Sequence, residues 1–459
     1  MFVIPIFPSI RRNLSAIKAI FFLWGSTLVG AGLAFLAQIV LGRTLGTEQF
    51  GLFSSALALV VLLVPLAGLG VSQLWLKLFG EEGWEAVRWL PASFRLLLLS
   101  SGLAMLLLLM WIFLLPHDAV MRWLYLLLLL HLPAQVVIEL VASRYQLEEN
   151  YRTLALWQFW PHASRLLILL LLLFTIFWQA GFNGIQQNES SLIGVYSVAC
   201  TYAFVAMFFL LWGGLRLRAM FRGDFRLQGH SLPQVEQNIG GAQKANSSFP
   251  SLIQTLRLTW PYGLGGMLYL LYFQSGVIVV HSTLGAEAAG LYNAAFVIMA
   301  AIYLFPSVIY QKYLLPKIHR WAAQSSQALH GYYRQGNRLM LIFGIAAGLI
   351  VAMMAPWVLP LLFGASYANA AEVLIILAIA APFRFVASSV GVLLVTGDHM
   401  RRKVFCMALV ALVYLLLSVI LLKVLGLKGV AIAAVISDGL LLFLYTWAVN
   451  RYVFIKKTD

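Results

Sequence analysis

The stretch "TLGTEQFGLF" (residues 44–53) returns in altered form as "TLGAEAAGLY" (residues 283–292). Residue i of the first copy corresponds to residue i + 239 of the second, and six of the ten positions are identical. Six identities at one constant offset indicate an internal repeat rather than chance. The shared glycine is suited to end one helix, and the shared glutamate to begin the next, where a carboxylate meets the positive end of the helix dipole. The repeat therefore predicts a helix-joining turn rather than a catalytic site.

The composition around this repeat is that of a membrane protein. Of 459 residues, 62% are hydrophobic and only 10% are charged, with a mean hydropathy of +0.90. A soluble domain has about half apolar and a quarter charged residues. Lipid is therefore the expected solvent for most of the chain.

Twelve apolar stretches are long enough to cross a bilayer, whose core of about 30 Å needs about 20 residues per helix. The predicted spans are 17–42, 52–77, 92–115, 121–145, 153–178, 192–214, 259–283, 291–313, 338–361, 370–395, 404–423 and 430–449.

The two copies of the repeat lie at equivalent places on this map. One joins spans one and two, and the other joins spans seven and eight. Because six spans separate them and six is even, the two halves enter the membrane in the same direction, as parallel repeats do in some transporters. We predict an all-α polytopic fold of two parallel six-helix bundles, residues 1–214 and 259–459, joined by a cytoplasmic linker over 215–258 with a flexible composition.

The basic residues give the predicted orientation. Of the 31 Lys and Arg residues, 25 fall on the side of the N-terminus, four on the opposite side and two within spans. This bias places both termini in the cytoplasm. The formal net charge of +15 is thereby explained by topology, and we expect no nucleic-acid partner.

Four stretches resemble landmarks of a known family. They are "LGRTLGTEQFGLFSSALALVVLLVPLAGLG" (41–70), "LGAEAAGLYNAAF" (284–296), "LFGASYANAAEVLIILA" (362–378) and "LGLKGVAIAAVIS" (425–437). In this order they are similar to the polysaccharide transporter, or O-antigen flippase, family of the multidrug/oligosaccharidyl-lipid/polysaccharide exporter superfamily. The chain departs from the related lipid II flippases, which usually carry two further helices.

The resemblance implies a central cavity between the bundles and a flippase of the bacterial inner (plasma) membrane. Its substrate would be a polyprenyl-diphosphate-linked oligosaccharide, moved from the cytoplasmic to the periplasmic leaflet by alternating access for lipopolysaccharide O-antigen or a similar surface polysaccharide. The implied partners are membrane lipids, H+ or Na+ as coupling ion, and glycan polymerase and glycosyltransferases. We expect no cofactor, metal or catalytic residue, and no nucleotide-binding loop of the form G-x-x-x-x-G-K-[ST] is present.

Ionisable and amide side chains concentrate in spans four and five. Such groups are costly inside a membrane and usually face a cavity or a partner. In each span the helical spacing places three of them on one face. They are His131, Gln135 and Glu139 in span four, and Gln158, His162 and Arg165 in span five.

We predict that this patch lines the cavity. Arg165 would bind the diphosphate or an acidic sugar through its fork of donors, and Glu139 with a histidine, His162 or His131, would carry a coupling proton. The alternative is an internal salt bridge that only holds the two helices together.

The second half offers fewer candidates. Arg384 lies in the middle of span ten and is the expected counterpart of Arg165 across the cavity, whereas Asp438 in span twelve has no evident partner in the sequence. Three side chains of span seven could bind sugars, namely Tyr269, Tyr272 and Gln274.

Two other functions stay open at this point. A cation-coupled drug or metabolite antiporter would share the fold, but basic intramembrane groups favour an anionic substrate. A membrane-embedded glycan polymerase or ligase would share the hydropathy, but by analogy such enzymes usually carry a large outer loop with basic residues. The longest predicted outer loop here is the short "QAGFNGIQQNESS" region (179–191).

Overall fold

The computed structural model describes residues 10–183, 187–222, 225, 227, 249–314, 318, 326–395 and 399–454. Most of the predicted linker and both chain ends lie outside these ranges. Within them the chain is built of helices with no strand. The α-helices are α1 (Ile10–Gly68), α2 (Val71–Glu82), α3 (Leu90–Leu114), α4 (Ala119–Leu128), α5 (His131–Leu147), α6 (Tyr151–Asn183), α7 (Gln187–Phe221), α8 (Leu252–Leu284), α9 (Ala286–Ser307), α10 (Ser326–Phe363), α11 (Ala370–Ala378), α12 (Ala381–Leu393), α13 (Met400–Leu425) and α14 (Leu427–Val449).

The all-α membrane fold is confirmed. Among the described residues, nine helical segments are long and apolar enough to cross a membrane, or ten if α11 and α12 form one bent span. One of the nine is a run of 87 residues, Leu28–Leu114, which covers the first three predicted spans. Each of the twelve predicted spans therefore coincides with helix.

The two repeat copies adopt the same backbone geometry. Gly46 interrupts α1 with φ 74° and ψ 177°, and Gly285 separates α8 from α9 with φ 89° and ψ −177°. Such positive φ values suit glycine, which has no Cβ. The hydroxyls of Thr44 and Thr283 each donate to the carbonyl four residues earlier, at 2.8 and 2.6 Å. The repeat is thus a helix-joining turn in both halves.

The helices that follow the two turns contact each other reciprocally. A Cβ on Gly51 would lie 1.8 Å from the carbonyl oxygen of Ala286, and a Cβ on Gly290 would lie 1.9 Å from that of Thr47. Ala286 is the counterpart of Thr47, and Gly290 that of Gly51. Gly51 contacts Ala286, and their counterparts Gly290 and Thr47 contact each other in the same way. The contact therefore obeys a pseudo-two-fold axis, as an isologous interface does.

This axis continues through a polar pair. The Asn293 side-chain amide donates to the Ser54 hydroxyl at 2.9 Å, in a buried position. Ser54 and Asn293 are themselves repeat counterparts, 239 residues apart. We call the contacts of residues 47–54 with residues 286–293 the turn-side seal. The two halves are therefore parallel at this interface.

A second contact joins the halves at the end of α1, beside Leu69. At a rise of 1.5 Å per residue, this point is about 27 Å further along the helix than Gly51. Leu69 and Gly70, both at positive φ, break the chain between α1 and α2. A Cβ on Gly70 would lie 2.5 Å from the Cβ of Tyr262, and one on Gly263 would lie 2.9 Å from Leu69. This linker-side contact packs backbone against backbone, which only small residues allow.

Spans four and ten share another feature of the repeat. Span four is interrupted between α4 and α5, and span ten between α11 and α12, with a bend of 45° in the second case. A proline follows each break, Pro133 within α5 and Pro382 at the start of α12. Proline removes a helical hydrogen bond and clashes with the preceding turn, which accounts for breaks at these points.

Candidate functional site

A cavity of about 730 Å³ lies between the two halves. Ser54 and Asn293 of the turn-side seal line it, and along α1 its lining extends to Pro65, near the linker-side contact. Its walls come from α1, α5, α6 and α7 on one side and from α8 and α9 on the other. Seven of the ten side chains predicted from the sequence line it: His131, Gln135, Glu139, Gln158, His162, Arg165 and Gln274.

The two predicted helical faces meet around a tyrosine. His131 Nε2 and Gln135 Nε2 lie 3.1 Å apart on one face of α5, as their spacing of four residues requires. The Tyr202 ring, from α7, lies 5.9 Å from the His131 ring and 5.1 Å from the Arg165 guanidinium carbon. Tyr202 therefore contacts the polar faces of both α5 and α6.

Several buried polar atoms of this cavity have no hydrogen-bond partner among the described residues. They include Arg165 Nε, His131 Nδ1 and Gln38 Oε1. A buried donor without a partner costs free energy, and native proteins usually satisfy such groups with water or a ligand. Arg165 lines the cavity and forms no ion pair with the described residues, so its guanidinium is suited to bind an acceptor there.

Glu139 lies in the same wall but is exposed to the cavity rather than packed away. Within the described residues no ion pair joins it to Arg165. His162 packs against α1, where a Cβ on Gly30 would lie 3.5 Å from its ring. The role of Glu139 and His162 in proton coupling stays a prediction.

The wall from the second half is mainly apolar. Its polar side chains are Gln274 of α8 and Asn293 of α9, and the remainder is formed by Leu, Val, Phe and Ala residues. The charged groups of the shared cavity thus come from the first half.

Arg384, Tyr269 and Tyr272 lie elsewhere. Arg384 is buried in the second half, where its Nη1 donates to Asp438 Oδ1 at 3.0 Å. Four aromatic rings surround its guanidinium carbon at 5.0–5.7 Å, namely Tyr269, Tyr272, Phe273 and Tyr303. The structure therefore does not bring Arg384 together with Arg165, and it supplies the partner that the sequence left open for Asp438.

Phe273 separates the two arginine environments. It lines the large cavity, and its ring also lies 5.0 Å from the Arg384 guanidinium carbon. Tyr269 and Tyr272 line a smaller cavity beside Arg384 on the far side of this ring. Their predicted sugar-binding role would require access to that smaller cavity.

Sequence reasoning missed Tyr202, Asn293 and the Arg384–Asp438 pair. Tyr202 gives no local signal, because tyrosine is common in membrane helices and its importance lies in what it contacts. Asn293 could have been found by extending the repeat by one position, which aligns it with the polar Ser54. The ion pair could have been considered from charge alone, since each deep charge in a membrane favours a partner.

The fold is shared with solved transporters. The lipid II flippase MurJ in an inward closed conformation superposes with a TM-score of 0.61 at 14% sequence identity, covering 95% of this chain and 89% of that chain. A multidrug resistance MATE family transporter of the MOP superfamily gives 0.60 at 15% identity in its inward-facing conformation, with 94% and 96% coverage. An outward-facing MATE transporter of the same superfamily gives 0.57 at 16% identity, with 96% and 97% coverage. At such low identity these likenesses establish the fold alone.

No curated protein is significantly similar in sequence to the chain. A family model described as "Polysaccharide biosynthesis protein" matches residues 16–321, which is more than half of the 459 residues and includes nearly all of the first half and the start of the second. With its membrane-spanning helices and a polar cavity between parallel halves, the chain belongs to the polysaccharide biosynthesis protein family.

Proposed function

We propose that the protein is a flippase that moves a polyprenyl-diphosphate-linked oligosaccharide across a bacterial inner membrane for surface polysaccharide biosynthesis, with O-antigen as the expected product class. The observation that carries the proposal is Arg165 of the predicted span five, which lines a cavity of about 730 Å³ and has no ion-pair partner in the described part of the chain. Family membership and the MOP-type fold support it.

The cavity fits the chemistry of this substrate. A diphosphate needs a cationic donor, and a guanidinium donates several hydrogen bonds in a fixed geometry that matches phosphate oxygens. Sugars need neutral donors and acceptors, which Gln135, Gln158, Gln274 and Asn293 provide in the same walls. The polyprenyl tail needs no polar site because it stays in the lipid.

The two contacts between the halves are suited to act as alternating gates. Both are small and formed by glycine backbone packing, so each can separate without exposing charged groups. Opening the linker-side contact while the turn-side seal holds would admit substrate from one leaflet, and the reverse would release it to the other. The bias of basic residues assigns the linker side to the cytoplasm and the turn side to the periplasm.

The same arrangement argues for a secondary transporter rather than an enzyme. We assign no catalytic residue, because the groups in the cavity can bind and orient but form no nucleophile–base pair. Whether H+ or Na+ couples the transport is a further prediction that rests on Glu139 and His162, which share a wall with Arg165.

Deletion of the gene and analysis of lipid-linked glycans test the proposal. We expect polyprenyl diphosphate oligosaccharide to accumulate on the cytoplasmic face and the wild-type gene to reverse this. The variant Arg165→Gln should fail to reverse it at normal membrane abundance. Arg152→Gln, an exposed position on the same helix, is the matched control and should complement.

A cation-coupled drug or metabolite antiporter is the second candidate, and the observation that favours it is the carboxylate of Glu139 exposed to the cavity of a MATE-like fold. The two candidates differ in the deletion strain. Unchanged lipid-linked glycans together with altered drug sensitivity would replace the flippase by the antiporter.

A further inference from the structure

The second half contains a cavity of its own that the proposed flippase function does not use. It has a volume of about 110 Å³ and is walled by α8, α9, α12, α13 and α14. Phe273 separates it from the large cavity, as described above. It reaches from Arg384 in the middle of span ten to Lys403 near the start of α13.

The charged groups around this cavity do not balance. Arg384 and Lys403 line it, and Asp438 is bound to Arg384 through Nη1 at 3.0 Å. One carboxylate facing two cations leaves a formal excess of one positive charge. An uncompensated charge away from water is costly, so the site favours a counter-ion.

One guanidinium nitrogen of Arg384 is left without a partner by the ion pair. The residue is 7% exposed, and its Nη2 is buried without a hydrogen-bond partner among the described residues. Ion pairs within 4 Å in the described part of the chain do not include Lys403. Both cations therefore have donors left for a ligand within the cavity.

The hydroxyls of the lining divide into two kinds. Those of Tyr272, Ser307 and Ser388 already donate to backbone carbonyls at 2.8–3.1 Å. The Tyr303 and Tyr445 side chains also line the cavity and can donate. The described lining thus contains two cations, hydroxyls and no carboxylate, which disfavours a metal cation and favours an anion.

We propose that this cavity binds a small free inorganic anion, of the size of chloride to phosphate, between Arg384 and Lys403. A water molecule occupies about 30 Å³ in the liquid, so a cavity of about 110 Å³ accommodates either ion, chloride together with some water. The anion balances the excess charge and ties α12 to α13. The polyanionic substrate, by contrast, binds on the other side of Phe273.

The test uses thermal unfolding of the purified full-length protein in detergent at constant ionic strength. Replacing gluconate, which is too large for the cavity, by chloride or by phosphate should raise the Tm saturably by about 2–4 °C. Lys403→Met should abolish this rise, and Lys403→Arg, which keeps the charge, should retain it. Arg401→Met, an exposed position two residues away on the same helix, is the matched control and should behave as wild type.

Three results would overturn the proposal. They are equal Tm values in chloride, phosphate and gluconate; a rise of the same size in Lys403→Met; and stabilisation by added anionic phospholipid alone, with no response to either inorganic ion. Because the readout is binding, a failure here leaves the flippase proposal intact, and a failure of the glycan experiment leaves this one intact.

Discussion

The two halves each hold one arginine deep in the membrane, and they treat it in opposite ways. Arg165 of the first half lines the shared cavity, lies beside the ring of Tyr202 and has no ion-pair partner among the described residues. Arg384 of the second half pairs with Asp438 and is surrounded by four aromatic rings. The repeat is thus symmetric in its turns and seal but not in its charges.

This difference indicates that Arg165 serves to bind the transported substrate and that Arg384 serves mainly to hold its own half together. A buried charge that lacks a protein partner can bind an oppositely charged ligand. Arg384 is instead paired with Asp438 within its own half, where the nearly inaccessible pair holds α12 against α14 and the small anion proposed above adds to that support. We therefore expect changes at Arg384 to act on stability and changes at Arg165 to act on transport.

The largest effect should come from breaking the buried ion pair. Arg384→Met leaves the Asp438 carboxylate buried and unpaired, which should lower the free energy of unfolding by about 3–5 kcal/mol. The double variant Arg384→Met/Asp438→Leu should recover most of this loss, because both charges are then removed. Thermal unfolding of the purified variants provides the measurement, and a stable single variant would contradict the assignment of the pair as support.

The next effect concerns the first half. Arg165→Gln removes a charge-assisted hydrogen bond worth about 1.5–3 kcal/mol, so the transport rate should fall about 10- to 100-fold. The Tm of Arg165→Gln should stay close to wild type, because Arg165 has no ion-pair partner within the described ranges to lose. A proteoliposome assay of glycan exposure on the outer leaflet gives the rate. Equal rates for Arg165→Gln and the Arg152→Gln control would show that Arg165 only packs.

The third prediction concerns the turn-side seal, where the two halves are related by the pseudo-two-fold axis. Gly51→Val places side-chain atoms where the Ala286 carbonyl lies, since even a Cβ would approach it to 1.8 Å. We expect the seal to open, with a several-fold faster reaction of a cysteine placed at Ala58, in the cavity wall, with an impermeant thiol reagent added from the turn side. Gly102→Val, where nothing lies within 4 Å of the added Cβ, is the control. An unchanged labelling rate would mean that the seal does not close the cavity.

The smallest effect should come from Tyr202. Tyr202→Leu removes the ring beside Arg165, an interaction of about 0.5–2 kcal/mol, and should slow transport between about 2- and 30-fold. Tyr202→Phe keeps the ring and should retain nearly the full rate in the same proteoliposome assay. An equal loss of transport rate in both variants would show that the hydroxyl of this residue, and not its ring, supports transport.

Much of the fold was predictable because each membrane helix is recognisable from its own stretch of sequence. An apolar run of about 20 residues has only one stable way to satisfy its backbone in lipid, which is a helix. The repeat at residues 44–53 and 283–292 added the parallel arrangement of the halves. The breaks in spans four and ten were less visible, although Pro133 and Pro382 stand beside them.

The candidate site was predictable only in part. Residues on one helix, such as His131 and Gln135, share a face by spacing alone, and the structure places them together. The partner of Arg384 was not predictable in this way, because Asp438 is 54 residues away and depends on how α12 packs against α14. The expectation that the two deep arginines face each other assumed that the repeat extends to the charges.

The sequence by itself determined that this protein lies in a membrane, that its halves are parallel and that its intramembrane charges are few. These properties follow from local composition and from a counted offset, which need no knowledge of packing. Only the tertiary structure decided that the repeat copies pack against each other about a pseudo-two-fold axis, and that Arg384 is ion-paired whereas Arg165 has no ion-pair partner among the residues that the structure describes. Those features depend on contacts between residues distant in the chain, and a single sequence does not encode such distances in any local pattern.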